Sequence, residues 1–284
     1  MKRINIIHLA PNLRRLYVKH ICRDLPMVIP KLTKLEHLQA DFLVGYIDLF
    51  QKCTEVTKLT SVDLCLGHID EKNLKQLCKF CPLLTKLRIN VDSSTSLRCL
   101  ASLIHLKVLS VYALDTTLFA NNDVCLPNVE IFQFNIRRNL HFDRSVQRMF
   151  PNVHYIKFGY GWKSTIITGK ISASFPHLRT LEITHIRGTT DLVDRLVGLS
   201  KLRELIAHEA VLSDIHLPPM NLPQLTLKHS EFEVTDEMAQ NFPNLRFLNL
   251  YGKSRCINAE KLPPTCTVRR FHRGCVDDVF DIKL

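Results

Sequence analysis

Apolar residues along the 284-residue chain recur as hydrophobe-x-x-hydrophobe-x-hydrophobe, with another hydrophobe or a proline just ahead. Copies include APNLRRLYV from Ala10, CPLLTKLRI from Cys81, FPHLRTLEI from Phe175 and FPNLRFLNL from Phe242. The first apolar residue of each core falls at Leu13, Leu35, Val56, Leu84, Leu106, Val129, Val153, Leu178, Leu202, Leu222 and Leu245, a mean spacing of about 23 residues. A degenerate twelfth copy starts at Thr265, with Val268 as its first apolar residue and Phe271 three further on. The alternating end of each core places two apolar side chains on one face of a short strand and turns the residues between them to the other. What remains must cross back on the outside of the coil. Three such segments carry helix N-caps: Asp70 before EKNLKQLCKF, Thr190 before DLVDRLVGL and Thr235 before DEMAQNF. One such unit cannot bury its own apolar side, so neighbours must stack on a continuous core and build a parallel sheet.

This spacing resembles that of leucine-rich repeats. The implied fold is α/β: a leucine-rich-repeat solenoid, a curved horseshoe of about 11 repeats. Its parallel sheet lies on the concave face, with short helices or irregular segments on the convex face. A single domain spanning 1–284 is expected, with an incomplete repeat over 1–9, repeats over 10–264, and a degenerate repeat, cap and tail over 265–284. Among repeat proteins the chain is similar to the leucine-rich-repeat region of F-box proteins, the substrate receptors of Skp–cullin–F-box ubiquitin ligases. The closest segments are HIDEKNLKQLCKFCPLLTKLRI (68–89) and VTDEMAQNFPNLRFLNL (234–250), in each of which a capped helix ends in Cys-Pro or Phe-Pro and runs into a strand. The resemblance implies a protein substrate held on the concave face and presented for ubiquitin-dependent degradation. The family's F-box lies ahead of the repeats, and here only Met1 to Leu9 precede the first core. The expectation is therefore an F-box-less relative or a chain lacking an upstream part, with a Skp-type adaptor as partner only if an F-box is supplied.

Residues alternating with the core leucines are the candidates for the binding face: Arg15, Tyr17 and Lys19; His37 and Gln39; Lys58 and Thr60; Lys86, Arg88 and Asn90; Ser110 and Tyr112; Gln133 and Asn135; Tyr155 and Lys157; Glu182; Glu204 and His208; Lys228; Phe247, Asn249 and Tyr251. The protein-binding set singled out among them is Arg15, Tyr17, Lys19, His37, Lys58, Lys86, Arg88, Tyr112, Tyr155, Lys157, Phe247 and Tyr251. The first four repeats supply the cations Arg15, Lys19, Lys58, Lys86 and Arg88, and Glu182 and Glu204 come later. A basic first half suits an acidic or phosphorylated peptide, and the aromatics suit interface anchors. The single tryptophan, Trp162, sits in GYGWKS, where Gly159 and Gly161 permit a sharp turn. It is either an exposed contact or a plug against the core.

The formal net charge of +11 and pI near 9.2 point to acidic partners without choosing their class. Hydrophobic residues make up 46% of the chain, and no run of about 20 apolar residues occurs, so no spanning helix and no membrane partner are expected. The start has no signal-peptide cleavage pattern and no Asn-x-Ser/Thr sequon occurs, which favours the cytoplasm or nucleus over secretion. A basic nucleic-acid-associated protein, a general intracellular repeat scaffold and an extracellular receptor domain are the alternatives. The first lacks a recognised module, and the last lacks the four-cysteine closing flank of its class.

Cys78 and Cys81 form a Cys-x-x-Cys. A structural zinc site takes four ligands, usually from two such knuckles, and the neighbouring Cys65 and Cys99 are single. A redox pair would sit at a helix N-terminus, whereas these two close a helix, so they are read as core and no metal or cofactor is expected. YGKS (251–254) lacks the early glycine of a phosphate loop, the place being held by Phe247. With no other catalytic motif, an enzyme is not expected. The tail carries Arg269, Arg270 and Arg273 against Asp277, Asp278 and Asp281, and reads as a cap strand followed by a surface tail.

Overall fold

A computed structural model of the chain describes residues 10, 12–18, 25–40, 49–50, 53–113, 117–120, 123–136, 140–141, 144–159, 167–168, 171–184, 196, 198–210 and 219–271. The readings made for residues 1–9, Lys19, Trp162, Gly161, the helix after Thr190 and the tail from 272 lie outside the described residues. The chain divides into two compact units, Met1–Val129 and Glu130–Leu284.

In the first unit the strands are β1 (Arg15–Val18), β2 (His37–Ala40), β3 (Ser61–His68), β4 (Lys86–Asn90) and β5 (Val108–Ala113). Each pairs in parallel with the next, one strand per repeat. The second unit contains β6 (Ile131–Ile136), β7 (Leu140–His141), β8 (Tyr155–Phe158), β9 (Ile167–Thr168), β10 (Thr180–Thr184), β11 (Glu204–His208), β12 (Gln224–Lys228), β13 (Glu231–Glu233), β14 (Phe247–Tyr251), β15 (Arg255–Ile257) and β16 (Thr267–Phe271). Its main parallel sheet runs β6-β8-β10-β11-β12-β14-β16. Two short parallel pairs, β7 with β9 and β13 with β15, join return segments. The architecture is the expected α/β leucine-rich-repeat solenoid.

The local chemistry explains the repetition. In most repeats a buried residue accepts a hydrogen bond from the N–H of the first core residue three positions on, as in Leu84 to Cys81, Val129 to Leu126, Leu178 to Phe175 and Leu245 to Phe242. These are β-turns, and Pro82, Pro127, Pro176 and Pro243 occupy the second position, where a fixed φ suits the turn. The turn's first residue anchors the core: Phe150, Phe175, Phe242 and Cys81 hold equivalent places, and all four are buried. Cys78 is also buried, on the inner side of the helix Glu71–Phe80. In the second unit the Phe132 and Phe150 rings stack with centroids 4.3 Å apart, while Phe134 meets Phe132 edge-on at 4.1 Å. Asp70 caps its helix by accepting from the Asn73 N–H at 2.8 Å, and Thr235 caps Asp236–Asn241 by accepting from the Met238 N–H at 3.2 Å.

Two registers differ from the sequence reading. In the third repeat Val56 is 62% exposed, and the first core residue is Leu59, which is fully buried. The core there reads Leu59-x-x-Val62-x-Leu64, and the spacings from Leu35 to Leu59 to Leu84 become 24 and 25 residues, close to their neighbours. Cys53 imitates the buried turn residue of other copies, but it receives a turn from Phe50 instead. The twelfth strand, β16, does form, yet Val268 aligns with Leu248 rather than with Leu245, and all five of its residues are exposed, as befits a closing strand. Gly159 answers a close approach rather than a sharp turn: a Cβ there would meet Asn135 Oδ1 at 1.8 Å.

Buried serines tie consecutive coils of the second unit together. Ser230 Oγ accepts from the Ala210 N–H at 3.0 Å and lies 2.8 Å from the Lys228 carbonyl oxygen, to which it donates, while the Ser230 N–H donates to Ser254 Oγ at 3.1 Å. Ser230→Ala should cost about 1–3 kcal/mol, because the buried Ala210 N–H loses its acceptor. Urea unfolding of the two proteins measures it.

Candidate functional site

In a parallel stack each residue of the open face lies beside its counterparts in adjacent repeats, about 4.8 Å away. In the first unit one row runs Arg15, His37, Ser61, Lys86, Val108, and the next runs Tyr17, Gln39, Asp63, Arg88, Ser110. No acidic side chain occupies the first row. Burial, followed by the charge of Arg15, pushes the His37 pKa below its usual value; Lys86 adds to this and Glu36 opposes it. Tyr17, 51% exposed, is the most open aromatic of this face.

The second row departs from the expected basic patch. Arg88 is on the predicted face, but it is buried and its Nη1 lies 2.9 Å from Asp63 Oδ2, an equally buried carboxylate. Lys58 is a correction of another kind. With the core starting at Leu59, Lys58 lies three residues ahead of β3, exposed and off the sheet, and Thr60 immediately precedes the strand, donating to the Glu36 carbonyl. The same slip concealed Asp63, which the reading Val62-x-Leu64 would have placed on the face. Tyr112 lies beside Asn90 near the ends of β5 and β4, half-buried.

In the second unit the charges condense on Glu182, which is 2% exposed. Lys157 Nζ lies 3.2 Å and Lys228 Nζ 3.4 Å from Glu182 Oε1. His208 Nε2 contacts the same oxygen, and the Tyr155 hydroxyl donates to Oε2. Burial opposes ionisation of Glu182, but the His208 hydrogen bond and the two lysines prevail and hold its pKa at about 2. Burial also pushes the His208 pKa down, as do Lys228 and Lys157, against the upward pull of Glu182. The His208 imidazole and the Glu182 carboxylate are joined by a hydrogen bond through Nε2. Lys157 lies on the predicted face but is buried in this cluster rather than offered to a partner, which corrects its reading as a contact residue. Tyr155 is half-buried and committed to Glu182. Further along, the Arg269 guanidinium lies 3.9 Å from the centroid of the Phe247 ring, and Tyr251 stacks on Phe271 at 4.4 Å with the rings 8° apart. Arg269 and Phe271 were not singled out as face residues, because the twelfth repeat was read out of register.

Cys53, Cys78, Cys81, Cys99, Cys125, Cys256 and Cys266 are free thiols. The Cys78 and Cys99 thiols interact, a contact between helix and neighbouring coil that the sequence did not reveal. Among the described residues no group of three or more potential ligands gathers around a metal position. No described helix is long and apolar enough to cross a membrane.

These features define a leucine-rich-repeat protein whose open faces carry polar and aromatic rows. Among solved structures it is similar to an internalin from Listeria monocytogenes (17% identity, 87% of this chain and 83% of that one, TM-score 0.44). It is also similar to an internalin C2 from the same organism (16% identity, 85% and 83%, TM-score 0.36) and to a chain of the mouse RP105/MD-1 complex (13% identity, 91% and 51%, TM-score 0.36). At these identities and TM-scores the likenesses do not bear on what the chain does. No protein-family description matches the chain, and no curated protein does.

Proposed function

We propose that the chain is a non-enzymatic protein-recognition module that takes an acidic or phosphorylated peptide on the open face of its first unit. The observation that carries this reading is the row Arg15, His37, Ser61, Lys86, which contains three basic side chains and no acidic one; burial, with Arg15 and Lys86 adding to it, lowers the His37 pKa. Tyr17 at its margin supplies an amphipathic anchor. The finer reading is a substrate receptor of the F-box/leucine-rich-repeat kind, working in the cytoplasm or nucleus. It is supported by the two capped helix-to-strand units at 68–89 and 234–250 and by the free thiols.

An anion docked on this row favours the imidazolium form of His37. Titration with a phosphoserine peptide should therefore raise the His37 pKa, read from its ring-proton NMR shifts. The Arg15→Ala/Lys86→Ala variant should bind the same peptide at least tenfold more weakly, while its own His37 pKa rises in the absence of peptide. An unmoved His37 in the presence of bound peptide would remove this face from the reading. Co-purification of a Skp-type adaptor with the endogenous protein tests the ligase role separately.

A further inference from the structure

We infer that the second unit carries a separate anion-binding groove, built from the residues that lead into β10, β11, β12 and β14, and that its occupant is an acidic or phosphorylated peptide segment. Arg179, Arg203, Pro223 and Arg246 hold one repeat position, immediately before the strand. The backbone locks them in a file: the Arg203 N–H donates to the Arg179 carbonyl at 2.8 Å, and the Arg246 N–H donates to the Pro223 carbonyl at 2.9 Å. A second file, two residues earlier, contains Lys201, Asn221 and Asn244. Together they line a cavity of about 650 Å³ that includes four cations and no acid.

The three guanidinium groups are exposed and no carboxylate among the described residues pairs with them, so the groove keeps its full positive charge. This contrasts with the open face of the same unit, where Lys157 and Lys228 are spent on Glu182. Lys201 Nζ donates to His177 Nδ1 at 3.0 Å, which directs its ammonium along the file. Strand spacing sets Arg179 and Arg203 about 5 Å apart and Arg246 about 10 Å beyond Arg203. That pattern fits two anionic groups on one extended ligand, one held by the Arg179–Arg203 pair and the other by Arg246, as a carboxylate or phosphate in bidentate fashion.

The asparagines select the ligand class. Asn244 Nδ2 donates to Asn221 Oδ1 at 3.0 Å, which leaves the Asn221 amide hydrogens and the Asn244 amide oxygen to pair with a peptide's C=O and N–H. A single-stranded nucleic acid would call for aromatic stacking platforms, and the groove lining contains no aromatic residue. The charge complementarity is that of an anion, and the amide pair is that of a polypeptide.

The probe is a fluorescein-labelled peptide of alternating glutamate and phosphoserine, compared with its glutamine and serine counterpart and with a labelled oligothymidine, each followed by fluorescence anisotropy. Wild type should bind the acidic peptide at least tenfold more tightly than its neutral counterpart. Arg179→Ala/Arg203→Ala/Arg246→Ala should lose most of that preference with an unchanged thermal midpoint, because the side chains removed are exposed. Should the triple variant melt early, Arg203→Glu alone reverses the central charge and must weaken binding by a similar factor. Residual affinity of the triple variant should vanish only on adding Arg15→Ala/Lys86→Ala, which separates this groove from the face proposed above. Unchanged binding by a folded triple variant, or an oligothymidine bound more tightly than the peptide through the same arginines, would overturn the inference.

Discussion

Replacing Glu182 by alanine should destabilise the second unit by about 3–5 kcal/mol, the cost of stripping a buried charge cluster of its counter-ion. The carboxylate receives Lys157 at 3.2 Å, Lys228 at 3.4 Å, the His208 imidazole and the Tyr155 hydroxyl, and it is almost wholly shielded from water. Without it two ammonium groups remain buried in a site arranged for an anion. The consequence for pH follows in sign. Glu182 has its pKa lowered from 4.5 to about 2, so its contribution is present above pH 4.5 and is lost as pH falls towards 2. His208 also has a lowered pKa, so the unfolded chain takes up its proton first and stability begins to fall as pH drops below 6.5. Urea midpoints measured from pH 7 down to pH 2 should therefore decline in two stages for wild type. Glu182→Gln should lose the lower stage, since no carboxylate remains to be protonated. A Glu182→Ala midpoint equal to that of wild type at pH 7 would mean that the cluster adds nothing to stability. A double replacement of Lys157 and Lys228 by methionine in the Glu182→Leu background should recover much of the loss, because an apolar packing of similar volume avoids desolvating the charges.

The fold was legible because its information is local. Turn prolines at Pro82, Pro127, Pro176 and Pro243, the alternating leucines and the capping residues Asp70 and Thr235 each act within a few positions of chain. The candidate site was less legible because its interactions span repeats. Arg88 finds Asp63 25 residues away, and Glu182 is 25 residues from Lys157 and 46 from Lys228. In a parallel stack those distances mean one or two strands, so assigning a partner requires each intervening register to be right. Arg15, Tyr17, His37 and Lys86 were placed correctly because their repeats have regular turns. Lys58 was misplaced and Asp63 missed because one turn departs from the rest. Burial of Lys157 was invisible for a related reason: a lysine between strand leucines looks like any solvated sheet lysine until its carboxylate neighbour is set beside it.

Leu59→Ala and Val56→Ala should separate by several-fold in their effect on the first unit, and that contrast decides the register on which the site depends. Leu59 is fully buried ahead of β3, in the place that Leu35 and Leu84 hold in the adjacent coils, so its truncation should cost about 2–5 kcal/mol in lost transfer energy and residual cavity. Val56 is mostly exposed, and its replacement should change stability by no more than about 0.5 kcal/mol. Both follow from urea unfolding with a probe in the first unit, such as a tryptophan introduced at Tyr112. A Val56→Ala cost comparable to that of Leu59→Ala would return Val56 to the core and Lys58 to the open face. It would also move Asp63 off that face, dissolve its 2.9 Å pairing with Arg88, and add that arginine's charge to Arg15 and Lys86 for a peptide to meet. The smaller patch proposed here, with Arg88 neutralised by Asp63, thus stands or falls with the side on which Val56 packs.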